Sequence, residues 1–210
     1  MIAAALLLFV VYLAVGFGLR SWLQVRRTAD TGFRGISGRP GGPEWWAGIL
    51  FAMALVAGLL GPVTALLGLE PVQVLTGSGI QVVGVVATSV GILGTFLTQV
   101  AMGSSWRIGV DESERTELVT SGPFAWVRNP IFTAMAVTGI GLALMVPNAV
   151  ALAGALLLLV ALQLQVRVVE EPYLLRTHGD AYAAYAARTG RFVPGTGRLA
   201  AIPAGAGRVV

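Results

Sequence analysis

The chain has 210 residues, of which 56% are hydrophobic and 11% charged, with a formal net charge of +4. Soluble domains carry about 25% charged residues, so a mean hydropathy of +0.80 excludes a water-soluble domain and predicts an integral membrane protein. Cysteine is absent and His178 is the single histidine. This excludes a disulfide framework, a thiolate nucleophile and a multi-histidine metal site, and we expect no bound metal.

Five apolar runs follow one another, at roughly 2–20, 46–68, 79–102, 130–146 and 149–168. A bilayer-spanning helix needs about 20 apolar residues, so we predict an all-α membrane protein with five transmembrane helices. The first run has no basic leader and no convincing small-residue cleavage site, and we interpret it as a retained anchor. The last two runs are separated only by residues 146–148, which predicts a tight antiparallel hairpin.

The predicted helices form two regions along the chain. Residues 1–102 hold the first three helices, and residues 103–210 hold the hairpin of helices 4 and 5 with a cytosolic tail. Within the third run, small residues form one face, which predicts close helix packing. These residues are Gly79, Gly84, Ala87, Gly91 and Gly94.

All fourteen basic residues are arginines, and their distribution predicts the topology. They lie in the loops 20–45 and 103–129 and from Arg167 onward, whereas residues 69–78 and 147–148 have none. With five spans, the positive-inside rule places the N-terminus outside and the C-terminus in the cytoplasm. In a membrane chain such arginines indicate orientation rather than nucleic-acid binding. The arginine-only composition favours a bacterial cytoplasmic membrane.

Two polar clusters, 111–130 and 163–194, flank the predicted hairpin on its cytosolic side. The short turn between the helices is expected to bring Arg128 and Asn129 close to Arg167, Glu170 and Glu171. The last three stand at i, i+3 and i+4, which are neighbours on one face of an α-helix.

This arrangement allows two interpretations. The acidic residues either form an interfacial salt bridge, with Arg128 as a partner, or line a polar pocket that receives hydroxyls or a cation. Pro130 fits the first turn of a helix, where the neighbouring free amide groups can donate to a ligand.

Standard hydrolytic and phosphate-binding motifs are missing. The chain has no G-x-S-x-G, no H-E-x-x-H and no lysine for a P-loop. A site that requires neither metal nor covalent nucleophile remains, and methyl transfer from a sulfonium fits it, because alignment and desolvation are the protein's main contributions.

The segment LVTSGPFAWVRNPIF, residues 118–132, is similar to the signature of isoprenylcysteine carboxyl methyltransferases and of related phospholipid methyltransferase-like membrane enzymes. Three further family motifs follow in the right order, within about 104–194. They are R-x-x-E-E-x-x-L at Arg167, Glu170, Glu171 and Leu174, G-x-x-Y-x-x-Y at Gly179, Tyr182 and Tyr185, and R-F-x-P at Arg191, Phe192 and Pro194.

The resemblance implies S-adenosylmethionine as the methyl donor, bound from the cytosol, and a lipophilic or membrane-associated acceptor. It implies catalytic positions at Arg167, nearest the acceptor, and Glu171. Donor-binding positions carried over from the motifs are Thr116, Glu117, Leu118, Val119, Phe124, Arg128, Asn129, Pro130, Ile131, Phe132, Glu170 and Tyr182.

The sequence departs from the family pattern at three places. Asn129 replaces the histidine of R-H-P, and it can form hydrogen bonds but carries no charge. His178 replaces a phenylalanine, and packing is the preferred interpretation. Pro172 is expected to kink or end the fifth helix. The identity of the acceptor and of the methylated atom is left open by the residues.

Two other functions are compatible with polar clusters at helix mouths. One is a sterol-reductase-like oxidoreductase that uses NADPH, and the other is a non-enzymatic membrane scaffold or transporter. Transport is disfavoured because no ionisable residue interrupts the middle of a predicted span.

Overall fold

The computed structural model describes residues 1–107 and 117–200, and the described chain is helical, with one isolated parallel bridge between Val127 and Gly190. Its main helices are α1 (Ile2–Thr28), α2 (Pro43–Leu66), α3 (Ser78–Ala101), α4 (Pro130–Met145) and α5 (Ala149–Arg188). Short 3-10 turns occupy Gln73–Leu75, Gly103–Ser105 and Gly122–Ala125. The predicted all-α fold class is confirmed.

Four helices, α1, α2, α3 and α5, are long and apolar enough to cross a membrane. Helix α4 has 16 residues and is therefore about 24 Å long, less than the roughly 30 Å of a hydrocarbon core. The structure thus supports an integral membrane protein. The count of five spans and the orientation of the termini remain predictions.

Helices α3 and α4 pack at very short distance through small residues. A Cβ added at Gly91 would lie 2.4 Å from the Thr138 hydroxyl, and one at Gly141 would lie 2.5 Å from the Thr88 hydroxyl. Side chains larger than hydrogen would force these two helices apart. The close packing predicted from the glycines of the third run is confirmed at Gly84 and Gly91, whereas Gly79 faces open space.

Helices α2 and α5 form a second close pair. A Cβ at Gly61 would lie 2.8 Å from that of Ala151, and one at Gly154 would lie 2.8 Å from that of Ala57. Asn148 fixes this pair at its end. Its side-chain oxygen caps α5 by accepting from the Ala151 amide at 2.9 Å, and its Nδ2 donates to the Gly61 carbonyl at 2.7 Å.

Of the two outcomes expected at Pro172, a kink or the end of the helix, the second is wrong, because helix α5 continues past the proline. It continues to Arg188, and the irregularities lie on either side of the proline: a π-helical turn at Gln165–Glu170, and Gly179, which has φ 50°. Proline lacks an amide hydrogen and clashes with the carbonyl four residues earlier. The wider turn directly before Pro172 accommodates both effects without breaking the helix.

The chain after α5 returns as a strap, residues 189–199, across the start of α4. Backbone amides of Arg128 and Asn129 donate to the carbonyls of Gly190 and Arg191 at 2.8 and 3.1 Å. The Thr133 hydroxyl donates to the Phe192 carbonyl at 2.8 Å. These bonds hold the loop before α4 against the end of α5.

Candidate active site

A cavity of about 630 Å³ lies between the start of α4, the middle of α5 and the N-terminal helices. Ligand pockets in proteins commonly measure about 300–1,000 Å³, so the space suits a nucleotide-sized molecule. One part of its wall is polar and comes from the loop before α4 and from α5. The other part is apolar and comes mainly from α1, α2 and the loop between them.

The structure brings the sequence-predicted donor-site residues together around this cavity, with Thr116 lying outside the described residues. Those that border it are Glu117, Leu118, Val119, Phe124, Arg128, Asn129, Pro130, Ile131, Phe132, Glu170 and Tyr182. Their positions agree with a common site, while their role in binding a donor remains a proposal.

The first turn of α4 has amide groups without a hydrogen-bond acceptor among the described residues. Asn129 is the N-cap but forms no capping bond, and Pro130 has no amide hydrogen. The first helical bond runs from Thr133 back to Asn129, so the amides of Ile131 and Phe132 have no acceptor among the described residues. Both residues border the cavity. Free donors at a helix N-terminus favour a carboxylate, a carbonyl or a ring nitrogen.

With Glu117, Glu170 is one of two acidic residues of the cavity wall. It ends the π-helical turn, is half-buried and borders the cavity. Its carboxylate is hydrogen bonded by Gln165, another residue of the wall. A carboxylate in this position can accept hydrogen bonds from hydroxyls or bind an ammonium group.

Glu171, the neighbouring residue, points elsewhere and is held in a buried ion cluster. Its Oε1 accepts from Arg128 Nη2 at 2.6 Å and from Arg191 Nε at 2.8 Å, and its Oε2 accepts from Arg191 Nη2 at 2.9 Å. The hydrogen bond to Glu171 raises the pKa of Arg191. Glu171 does not border the cavity. For this residue the geometry matches the salt-bridge interpretation, and the predicted catalytic role receives no support from contacts.

Arg128 belongs to the same cluster, and both of its terminal nitrogens donate to protein acceptors, whereas its Nε is buried without a partner. Besides Glu171, its guanidinium donates to the carbonyls of Ala186 at 3.0 Å, Thr189 at 2.5 Å and Gly197 at 3.0 Å. Part of the residue borders the cavity, but its charge is used to fasten the strap. We therefore expect Arg128 to shape the donor site rather than to contact a ligand through its charge.

Two tyrosines close the cavity from the end of α5. Tyr182 is buried and borders it, and its ring packs edge-on against that of Tyr185, 6.1 Å away between centroids. The Tyr185 hydroxyl donates to the Phe124 carbonyl at 2.6 Å. The backbone change at Gly179 aims this last segment of α5 at the loop before α4.

Arg167 lies apart from these groups. It is exposed, its Nε donates to Gln163 Oε1 at 3.1 Å, and it does not border the cavity. His178 is half-buried and also stands outside the cavity wall. The structure thus does not bring Arg167 to the same space as Glu170, although the two are three residues apart.

Sequence reasoning missed the half of the wall that comes from the N-terminal region. Among its residues are Phe17, Ser21, Phe33, Ile36, Phe51, Leu55 and Gln99, and Trp106 follows just beyond α3. The apolar members carry no signal, because a side chain that faces a cavity and one that faces lipid are equally hydrophobic in a membrane helix. Gln99 did carry a sequence signal, because a polar side chain within an apolar run marks a position that faces protein or water.

A curated relative, the nickel-cobalt-cadmium resistance protein NccN of Alcaligenes xylosoxydans xylosoxydans, is 33% identical over 107 residues, which are 50% of this chain and 49% of that protein. The chain therefore matches about half the length of this curated relative. The profile of the phospholipid methyltransferase family matches residues 76–181, which include α3, α4, the loop between them and the cavity-lining part of α5. The chain belongs to the phospholipid methyltransferase family of membrane methyltransferases.

Proposed function

We propose that the protein transfers a methyl group from S-adenosylmethionine to a lipophilic acceptor. The observation that carries this proposal is one cavity that is bordered by Ile131, Phe132 and Glu170 and also by apolar groups of α1 and α2. Ile131 and Phe132 bring unbonded amides, and Glu170 brings a carboxylate. The polar part suits a charged, hydroxyl-bearing donor, and the apolar part suits an acceptor that partitions into the bilayer.

The residues of the polar wall fit the chemical groups of this donor. The Glu170 carboxylate can bind ribose hydroxyls or the ammonium group, and the amides of α4 can donate to a carboxylate or to a ring nitrogen. Phe124, Phe132 and Tyr182 offer aromatic faces to the adenine and to the sulfonium charge. When bound, the donor supplies an activated electrophilic methyl group. The protein's own contribution is to align the acceptor with it and to exclude water.

Ligand-dependent melting of the purified chain in detergent tests the donor. At about 100 times its dissociation constant a ligand adds roughly 2.7 kcal/mol to the unfolding free energy, which corresponds to at least about 5 °C in a chain of this size. We expect S-adenosylhomocysteine to produce such a shift and NADP to produce none. A shift with NADP alone would instead support the reductase alternative.

The acceptor is identified by transfer of labelled methyl groups from S-adenosylmethionine into a total membrane lipid extract. We expect the label to enter the organic phase, and analysis of the labelled species then gives the methylated atom. Label that appears only in water-soluble products would contradict a lipophilic acceptor.

We further propose that donor binding occurs at the cytosolic face of a bacterial cytoplasmic membrane, with the N-terminus outside and five spans. The arginine distribution supports this orientation. A reporter fused after Val210 should behave as cytoplasmic, and a tag at Leu69 should be labelled from outside. The reverse pattern would place the cavity on the other side.

A further inference from the structure

The face of α1 that packs on α3 carries a buried arginine with no counter-ion among the residues that the structure describes. Gly16, Arg20 and Gln24 follow one another at intervals of four residues, and Arg20 and Gln24 are 1% and 0% exposed. Arg20 Nη2 donates to the Gly103 carbonyl at 2.7 Å, just beyond the end of α3. Its guanidinium carbon lies 4.4 Å from the centroid of the Trp106 ring.

These contacts leave two of the three guanidinium nitrogens of Arg20 without a hydrogen-bond acceptor. Arg20 Nε and Nη1 are buried and have no hydrogen-bond partner. No carboxylate of the described chain forms an ion pair with Arg20, and the charged groups that act on it most strongly are Arg27 and Arg107, which repel it. A buried charge without a counter-ion destabilises the folded protein. The surroundings of Arg20 therefore favour an anion that the described protein does not supply.

The buried guanidinium of Arg20 lies close to the cavity. Arg20 is not itself part of the cavity lining, but its chain neighbour Ser21, its stacking partner Trp106 and the nearby Arg107 all border the cavity. Gln99 Nε2 donates to the Gly16 carbonyl at 3.0 Å, while its Oε1 has no partner and can accept from a ligand hydroxyl. Arg20 and Gln24 lie outside residues 76–181, so the family match assigns them no role.

We infer that Arg20, with Arg107 at the cavity edge, binds the anionic group of a membrane-borne amphiphile, either a phosphate diester or a carboxylate. Guanidinium forms paired hydrogen bonds with both anions, and basic pockets between transmembrane helices bind acidic lipid head groups. That this amphiphile is the methyl acceptor rests on the proposed function. The existence of the anion site does not.

Melting of the detergent-solubilised full chain with three oleoyl probes tests the site. Lysophosphatidylglycerol carries a phosphate diester, oleate carries a carboxylate, and monoolein has the same acyl chain with no charge. We expect at least one of the two anions to raise the midpoint by about 2 °C or more beyond monoolein. The anion that does so identifies the preferred group.

Arg20→Gln should abolish this difference between anion and monoolein, because glutamine keeps a donor for Gly103 but no charge. Arg26→Gln is the matched control and should retain it, since Arg26 lies on the same helix and stacks on Trp22 at 4.6 Å but is exposed. If Arg20→Gln does not fold, Arg20→Lys replaces it, and we expect a smaller but measurable anion shift. Equal shifts for wild type and the Arg20 variant, or none with either anion, would overturn the inference and leave Arg20 as an anchor for Gly103.

The same samples separate this inference from the proposed function. S-adenosylhomocysteine should stabilise Arg20→Gln as it does the wild type, because the donor-site residues are unchanged. Loss of the anion shift without any response of wild type to S-adenosylhomocysteine would uphold the anion site and refute the proposed donor. A normal response to S-adenosylhomocysteine with an anion shift independent of Arg20 would refute the anion site alone.

Discussion

The cavity wall and the ion cluster beside it are built from adjacent residues of α5 but differ in how their polar groups are satisfied. Glu171 is bonded to Arg128 and Arg191, so the protein uses all of its charge. Glu170 borders the cavity and is bonded by the neutral Gln165. Charges paired within the protein fasten the strap to the loop before α4, and polar groups that border the cavity without a counter-ion remain available to a ligand. The contrast separates residues that build the site from residues that can bind in it.

The largest effect is expected at the ion cluster. Glu171→Gln leaves Arg128, whose side chain is 1% exposed, without its counter-ion, and breaking a buried pair typically costs about 3–5 kcal/mol. We expect poor recovery of folded protein and a melting midpoint lowered by at least about 6 °C. Glu70→Gln, at an exposed position before α3, should be indistinguishable from wild type. A Glu171→Gln protein of normal stability would show that the cluster does not hold the strap.

The next effect is expected at the cavity wall. Glu170→Gln removes a charged hydrogen-bond acceptor. Hydrogen bonds to charged groups contribute about 1.5–3 kcal/mol, which corresponds to roughly 10- to 150-fold in affinity. Affinity for S-adenosylhomocysteine, measured by titration calorimetry, should fall by this factor while the melting midpoint of the unliganded chain stays within about 2 °C of wild type. Wild-type affinity would exclude Glu170 from the donor site.

Asn129 contacts the strap and also borders the cavity, so its substitution is expected to have a moderate effect on stability and on ligand binding. Its Nδ2 donates to the Arg191 carbonyl at 3.0 Å, and the residue borders the cavity. Asn129→Ala loses about 1 kcal/mol of hydrogen bonding, or about 2–4 °C in midpoint. We expect affinity for S-adenosylhomocysteine to change by less than about 5-fold, because the amides of Ile131 and Phe132 remain. A much larger loss would make Asn129 a direct ligand, as the family histidine suggests.

The smallest effect is expected at Arg167. The side chain is exposed and bonded to Gln163 outside the cavity, and exposed contacts of this kind contribute about 0–1 kcal/mol. Arg167→Ala should alter methyl transfer into lipid by less than about 5-fold, with Gln163→Ala as its matched control. Loss of turnover with intact binding of S-adenosylhomocysteine would restore the acceptor-contacting role that the resemblance implies. The acceptor would then approach from the outer face of α5.

The sequence determined the membrane class, the family and the part of the cavity wall that comes from the loop before α4 and from Glu170 and Tyr182. Composition requires helices that satisfy their own backbone hydrogen bonds in lipid. The small residues of the third run predicted close packing of that helix, and the structure shows α4 as its partner. Motif order located the loop before α4 and the acidic pair of α5. These properties follow from local chemistry, so they are readable without contacts.

Tertiary structure alone decided which acidic residue faces the cavity and which is enclosed by arginines. The rule of i, i+3 and i+4 placed Arg167, Glu170 and Glu171 on one face, but it holds for an α-helix, and Gln165–Glu170 is π-helical. Hydrogen bonds from i to i+5 widen the turn and rotate side chains away from the positions extrapolated for an α-helix. The apolar wall and the buried charge of Arg20 were likewise set by packing between distant helices. Hydrophobic periodicity cannot report such packing in a chain whose outer surface is also apolar.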